Sequence, residues 1–170
     1  MIAAIVLAAT MAAAPPVADR STPASTARTF YAWHLHHNVF DGSTAMRSFL
    51  TPELANGFAW VDAAQACTHS AILDYDPFGG GQVGITAYAV GATTMHEHEA
   101  RVTMHLKLWK NEPSTATLVM QRGKDGWRIA DALDDRGTSV AHELKRDRAE
   151  SAHYTKLTNA ERSCLAKIPY

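Results

Sequence analysis

The stretch Phe30–Asn38, with the sequence FYAWHLHHN, carries the densest aromatic pattern of the chain. Read as a helix at 100° per residue, it gathers its apolar side chains, Phe30 and Trp33 among them, in one broad arc. His34 falls near the middle of that arc, and His37 lies between Trp33 and Phe30. A helix with so wide an aromatic face needs a large apolar surface to pack on. Histidines on that face are either hydrogen-bonded core residues or the polar floor of a pocket.

Length and charge set the outer limits of the interpretation. A chain of 170 residues with 46% hydrophobic residues is long enough for one domain with a sizeable core. The net charge of -1 provides no basic surplus, so the electrostatic attraction that dominates nucleic-acid binding is missing. Nine histidines are many for this length, and they add positive charge below about pH 6.5.

Residues 1–18 are typical of a secretory signal peptide. An apolar run of Ala, Ile, Val and Leu ends in small residues and Pro15-Pro16, and it is shorter than the ~20 residues of a membrane helix. The first basic residue is Arg20, so the alternative interpretation is an Ala-rich tail without a targeting role. The sequence thus predicts a periplasmic or secreted protein that does not associate with the membrane once the signal is removed.

The predicted export bears on the two cysteines of the chain, Cys67 and Cys164. Disulfides persist in exported proteins, and a bridge that closes so long a loop contributes about 4–5 kcal/mol in the chain-entropy model. We predict that Cys67 and Cys164 form a disulfide, with two unrelated buried thiols as the alternative.

Helices come first along the chain. Residues 19–24 are predicted to be a linker, and Ser25 or Thr26 can cap a helix that runs to about Asn38. A short helix is expected over residues 44–50. Thr51-Pro52 then supplies the cap and first-turn proline of a third helix that ends near Cys67. A proline and three glycines make residues 74–82 a loop.

Strands follow, because the hydrophobic period changes to two. Strands are predicted over residues 85–90, 97–109, 115–121 and 127–132, and the last two pair through the turn 122–126. A charged helix that begins near Ser139 completes the pattern, and its balanced charges are typical of a solvated face. Helices followed by an antiparallel meander indicate an α+β fold.

Two motifs in this order resemble the nuclear transport factor 2-like, or cystatin-like, superfamily. They are Phe30-Tyr31-x-Trp33 on the first helix and the closing hairpin that ends in residues 125–131. The Asp-x-Asp-Pro-Phe loop at 74–78, followed by Gln82, is similar to a group of uncharacterised exported bacterial proteins within it. The resemblance implies N-terminal helices packed on a curved antiparallel sheet that forms a cone, with a short C-terminal helix. The resemblance covers residues 25–145, and we assign residues 25–150 to this domain and residues 151–170 to a C-terminal extension.

The resemblance also implies a pocket along the first helix, with Tyr31, His34, Asp76 and Gln82 as candidate ligand-binding residues. Enzymes of the superfamily often use a His–Asp pair inside the cone, which makes His34 and Asp131 the candidate catalytic pair. A core histidine bonded to a carbonyl or hydroxyl group is the alternative for His34.

His96 and His98 form a second candidate site. On one strand they point to the same face and can share a metal ion, but His105 has the opposite parity and no third ligand is evident. A solvated hairpin rim is the alternative interpretation. Asp74 and Asp76 are spaced like the start of a calcium loop, which lacks the later acidic ligand and is better explained by turn bonds.

Three hypotheses for function follow. The first is a non-enzymatic exported protein that binds a small ligand or an envelope protein, with no cofactor and with the sheet as a candidate homodimer surface. The second is an enzyme in which His34 and Asp131 move a proton. The third is an inhibitor or immunity-type protein whose loop 74–82 is exposed. Trp109, opposite the apolar strand face, is a candidate exposed anchor for a partner.

Overall fold

The computed structural model describes residues 19–37, 44–70, 72–73, 75–79, 81, 84–151 and 157–169. The predicted signal peptide at 1–18 lies outside these residues. The fold is α+β, as the sequence predicts, and the described residues form five helices and a curved four-stranded antiparallel sheet. Of these helices, three precede the sheet and two follow it.

The helices begin where local capping chemistry places them. The bounds are α1 at Pro23–His34, α2 at Thr44–Arg47, α3 at Pro52–Thr68, α4 at Val140–Ser151 and α5 at Asn159–Leu165. Thr51 caps α3 as predicted, with Pro52 in the first turn. The cap of α1 is Thr22, which exchanges hydrogen bonds with Ser25 in a capping box, so α1 starts earlier than expected. It also ends before Asn38.

The sheet is a meander in the order β1-β2-β3-β4. Its strands are β1 at Ala87–His96, β2 at Glu99–Lys107, β3 at Pro113–Gly123 and β4 at Gly126–Leu133. The register shifts between Val90 and Thr93 in β1, and again between Val119 and Met120 where β3 pairs with β4. Bulges of this kind bend strands and increase the local twist, which curves the sheet around the helices.

The predicted alternation along the second strand is confirmed. Ala100, Val102, Met104 and Leu106 are buried, whereas Arg101, His105 and Lys107 are exposed. The predicted boundary of the first strand is wrong, because β1 continues through residues 91–96. The β1–β2 turn consists of Glu97 and His98, and Glu97 takes a left-handed conformation with φ 48°.

The core lies between α1 and the sheet. Phe30 is fully buried, and its ring meets Phe49 at 5.5 Å and Phe78 at 4.7 Å between centroids. Segment 49–51 runs beside the last strand: Ile129 N donates to Phe49 O at 2.9 Å, and Thr51 N donates to Ile129 O at 2.8 Å. These two bonds fix the start of α3 at the β4 edge.

The C-terminal segment is tied to the domain. Cys67 at the end of α3 and Cys164 in α5 lie at disulfide distance, with their Cα atoms 5.6 Å apart. The two cysteines that the sequence predicts to pair are thus close enough to form a disulfide, and the described part of the 151–170 extension includes a helix next to α3. Among the described residues, no helix is long and apolar enough to cross a membrane.

Candidate functional site

A loop that follows α3 is fastened to α1 by side-chain hydrogen bonds. His34 Nε2 lies 2.8 Å from Asp76 Oδ2, and the two side chains are only 4% and 9% exposed. Because a carboxylate can only accept, Nε2 carries the proton of this bond. Asp76 Oδ1 accepts a second bond from Phe78 N at 2.9 Å. Both oxygens of this buried carboxylate are therefore used within the chain.

Tyr31 makes the other contact with this loop. Its hydroxyl donates to the Phe78 carbonyl oxygen at 2.7 Å, and the side chain is fully buried. Burial, with a further contribution from the negative charge of Asp76, raises the pKa of Tyr31 well above its ordinary value of 10. The hydroxyl thus remains a donor across the physiological range. We call Tyr31, His34, Asp76 and Phe78 the α1–loop clasp.

The backbone of the loop is folded tightly around Asp76. Asp76 N donates to Gly81 O at 2.8 Å, and Gly79 N donates to Asp76 O at 3.2 Å. A Cβ atom at Gly79 would lie 2.6 Å from Asp76 Oδ2, closer than the two atoms can approach. One of the three glycines of this loop is therefore required by the carboxylate of the clasp.

Aromatic rings close the clasp against solvent. The His34 ring stacks on Phe30 at 5.5 Å with an interplanar angle of 15°, and Phe78 meets it edge-on at 6.2 Å. Its Nδ1 atom is buried and has no hydrogen-bond partner among the residues that the structure describes. A histidine held by a carboxylate with the other nitrogen free has the parts of a general base. Here a substrate reaches Nδ1 only if the loop moves, so the closed geometry is that of a structural contact.

The expected pairing of His34 with Asp131 is corrected by the structure. Asp131 Oδ2 accepts from Ser139 Oγ at 2.6 Å, and Oδ1 accepts from Ala141 N at 2.9 Å. Asp131 therefore satisfies a free N–H group in the first turn of α4, where a negative charge also complements the helix dipole. The carboxylate that meets His34 comes from the loop instead.

The other predicted site residues are spread over the molecule. His96 ends β1 and His98 lies in the turn, so they do not share a strand face as expected. Within the described part of the chain, no group of three or more His, Cys, Asp or Glu side chains is placed to hold a metal ion. Asp74 and Gln82 lie outside the described residues.

The two expectations of exposure have opposite outcomes. Trp109 is 63% exposed, as predicted, but it lies on a 3₁₀ turn because β2 ends at Lys107 and not at residue 109. The loop that the inhibitor hypothesis requires to be exposed is buried at Asp76, Pro77 and Phe78. The described part of that loop is thus an interior segment and offers little surface to a partner.

A pocket of about 570 Å³ lies between α3, α4 and the β3–β4 hairpin. Leu54, Trp60, Val119 and Leu144 supply apolar walls, and Asn56 and Gln121 supply carboxamides. Gly57 lines it as well, and a Cβ atom there would lie 3.0 Å from Leu144 Cδ1, so the two helices approach closely at this glycine. The pocket is assembled from four elements, and no single motif indicates it. The only signal in the sequence is the pair Val140 and Leu144, which gives α4 an apolar stripe.

A scan against protein-family models finds no family that matches the chain, and a search of curated proteins finds no match either. The fold and the geometry of its two candidate sites, the clasp and the pocket, therefore carry the functional argument.

The Tyr31→Phe variant removes only the Tyr31 hydroxyl group, and it tests how much the clasp contributes to stability. We expect it to lower the free energy of unfolding by about 1–3 kcal/mol, because the buried Phe78 carbonyl loses its donor. Urea denaturation at pH 7 measures the change. Tyr88→Phe is the matched control, since Tyr88 donates to Arg28 O at 3.2 Å in an exposed bond, and it should cost under about 0.5 kcal/mol.

The Tyr31→Phe variant should also change how the free energy of unfolding depends on pH in the alkaline range. The pKa of Tyr31 is higher in the folded than in the unfolded state, so its contribution is complete below about pH 10 and is lost as the pH rises above that value. Tyr75, whose pKa is also raised by burial and by Glu143, contributes in both proteins. Tyr31→Phe should therefore lose less stability than the wild type between pH 9 and pH 11, and equal losses would contradict the clasp.

Proposed function

We propose that this protein is an exported, non-catalytic binding protein of the nuclear transport factor 2-like type, and that it takes a small molecule into the pocket between α3 and α4. The observation that carries the proposal is the pocket itself. A concavity of about 570 Å³ that is lined by apolar, carboxamide and charged side chains has the size of a small-molecule site.

The α1–loop clasp supports a non-catalytic role, because its polar side-chain groups form hydrogen bonds that hold the loop on α1. Both oxygens of Asp76 and the hydroxyl of Tyr31 have partners within the chain, and His34 is 5% exposed. A catalytic pair needs one group free at an open surface. The groups expected to bind a ligand therefore hold the loop, and the pocket lies elsewhere.

Export is supported by the cysteine pair and by the apolar N-terminal run. Cys67 and Cys164 are at disulfide distance, and such bridges persist in the periplasm or outside the cell. We propose a periplasmic or secreted location on these two grounds.

The Ala141→Phe variant tests the pocket. Ala141 lines the cavity on α4, so a benzyl group at this position fills part of it. We expect fragments that shift the amide NMR signals of Val119 and Leu144 to bind the wild type and to lose about tenfold or more in affinity for the variant. The measurement is a titration followed by amide chemical shifts.

Ala149→Phe is the matched control, since it makes the same substitution at an exposed position of the same helix. It should bind these fragments as the wild type does. The proposal fails if fragments bind Ala141→Phe and Ala149→Phe equally well, or if the shifted signals lie away from the pocket.

A second candidate function is proton transfer by His34. The observation that favours it is the Nδ1 atom, which makes no hydrogen bond within the described part of the chain. This role requires the loop to open often enough to admit a substrate. Deuterium exchange at the imidazole C2 position, followed by mass spectrometry, measures the access of solvent to each histidine. We expect His34 to exchange much more slowly than the exposed His36, whereas similar rates would favour the enzyme.

A further inference from the structure

The acidic residues of the α3–α4 pocket are already engaged within the protein. Asp131 is bonded to Ser139 and to the backbone N–H of Ala141. At the rim, Lys145 Nζ lies 3.1 Å from Glu53 Oε1, and both side chains are largely exposed. A charged ligand would have to compete with these contacts and give up its hydration on entry.

The remaining cation of the pocket has partners too. The guanidinium group of Arg148 lies 6.0 Å from the centroid of the Trp60 ring, and its Nη2 atom donates to Pro169 O at 3.2 Å. Stacking on an aromatic face holds the guanidinium plane in place. Arg148 therefore lines the pocket with a guanidinium group that already has partners within the chain.

Two carboxamides differ from these charged groups. Asn56 on α3 and Gln121 on β3 line the same cavity, and neither side chain makes a hydrogen bond to any part of the chain that the structure describes. Each carboxamide offers an N–H donor and a carbonyl acceptor. Both residues are exposed to solvent, and Leu54, Val119 and Leu144 add apolar surface to the same cavity. The two carboxamides thus give the pocket uncharged groups that can both donate and accept hydrogen bonds.

We infer that the ligand of this pocket is an uncharged molecule that joins an apolar body to an amide group. This inference rests on the proposed binding function. An amide presents a donor and an acceptor side by side, which is the complement of a carboxamide, and its apolar body fills the space between α3 and α4. Asn56 and Gln121 are the residues that select the amide.

Three probes with one carbon skeleton test the inference: hydrocinnamamide, hydrocinnamate and 3-phenylpropylamine. Amide chemical shifts of the protein report the affinity for each probe. We expect the amide to bind at least about tenfold more tightly than the carboxylate or the ammonium probe, because only the amide pairs with the carboxamides without desolvating a charge. Raising the salt concentration should leave its affinity unchanged.

Variants of nearly equal volume assign the selection to residues. Asn56→Leu and Gln121→Met each remove a carboxamide and should weaken the amide about threefold to tenfold, without strengthening the charged probes. Gln65→Met is the control, since Gln65 is exposed on α3 and does not line the pocket. Equal affinity for the amide in all three variants would overturn the inference.

The experiment separates this inference from the binding function. If the three probes bind equally and Ala141→Phe weakens them all, the pocket binds ligands but does not select an amide, and the inference is wrong. If no probe binds, or if Ala141→Phe has no effect on those that do, the binding function and the inference fail together.

Discussion

Replacement of Asp76 by alanine is expected to lower the free energy of unfolding by about 3–5 kcal/mol. The change leaves His34 Nε2 and the Phe78 N–H without partners in a closed interior, and each unsatisfied polar group costs about 1–3 kcal/mol. It also removes the carboxylate around which Gly79 turns. A loss of this size is a large part of the stability of an ordinary domain. Urea denaturation of the oxidised protein measures it.

Two controls bracket this prediction. Asp76→Asn retains an oxygen that can accept from His34 or from Phe78, so it should cost less than the alanine variant. Asp135→Ala removes an exposed carboxylate, 4.0 Å from Arg136, and should stay within about 0.5 kcal/mol of the wild type. If Asp76→Ala is no more destabilising than Asp135→Ala, the clasp contributes nothing to stability.

Loss of the cysteine bridge is expected to cost about as much. Cys67 and Cys164 are separated by 97 positions, and the chain-entropy model assigns a loop of this length about 4–5 kcal/mol. The double variant Cys67→Ser/Cys164→Ser should show this loss in urea denaturation. Since α5 docks on α3 through this bond, hydrogen exchange in α5 should also accelerate.

The reducing agent supplies the control for this prediction. Dithiothreitol should destabilise the wild type to about the level of the double variant and should leave the double variant unchanged. Equal stability of the oxidised wild type and the variant would refute the predicted contribution.

Periodicity predicts the parts of the fold that depend on local pattern. The alternation of Val102, Met104 and Leu106 identifies β2, because one face of the strand is buried and the other is solvated. The start of α3 is equally clear from Thr51-Pro52, since cap and first-turn preferences are local. The α+β class follows from the order of such segments.

The β1–β2 hairpin could not be predicted by the same means. Gly91 and the adjacent small residues are typical of a loop, yet β1 runs through them. The reason lies across the sheet: a Cβ atom at position 91 would lie 2.7 Å from His105 Nε2, so the glycine makes room for a neighbouring strand. The turn also requires Glu97 in a left-handed conformation, which residues other than glycine rarely adopt.

The candidate site, too, was predictable only in part from the sequence. The aromatic face of α1 predicts that Tyr31 and His34 point inward, and both are buried. The partner of His34 was not predictable, because Asp76 and Asp131 are both distant in sequence and no spacing rule selects between them. The pocket was missed because α4 looks like a solvated helix, and its lining is shared with α3 and the hairpin.

The position of α1 at the start of the described chain has a consequence for how the protein reaches its native state. The groups that α1 packs against, from Phe49 and Phe78 to strands β1, β2 and β4, all come later in the sequence. A twelve-residue helix is marginal on its own, so α1 has no stable partner while the chain emerges from a ribosome or a translocation channel. Folding of this domain should therefore be slow and governed by long-range contacts, with an early demand for chaperones that shield Phe30 and Trp33.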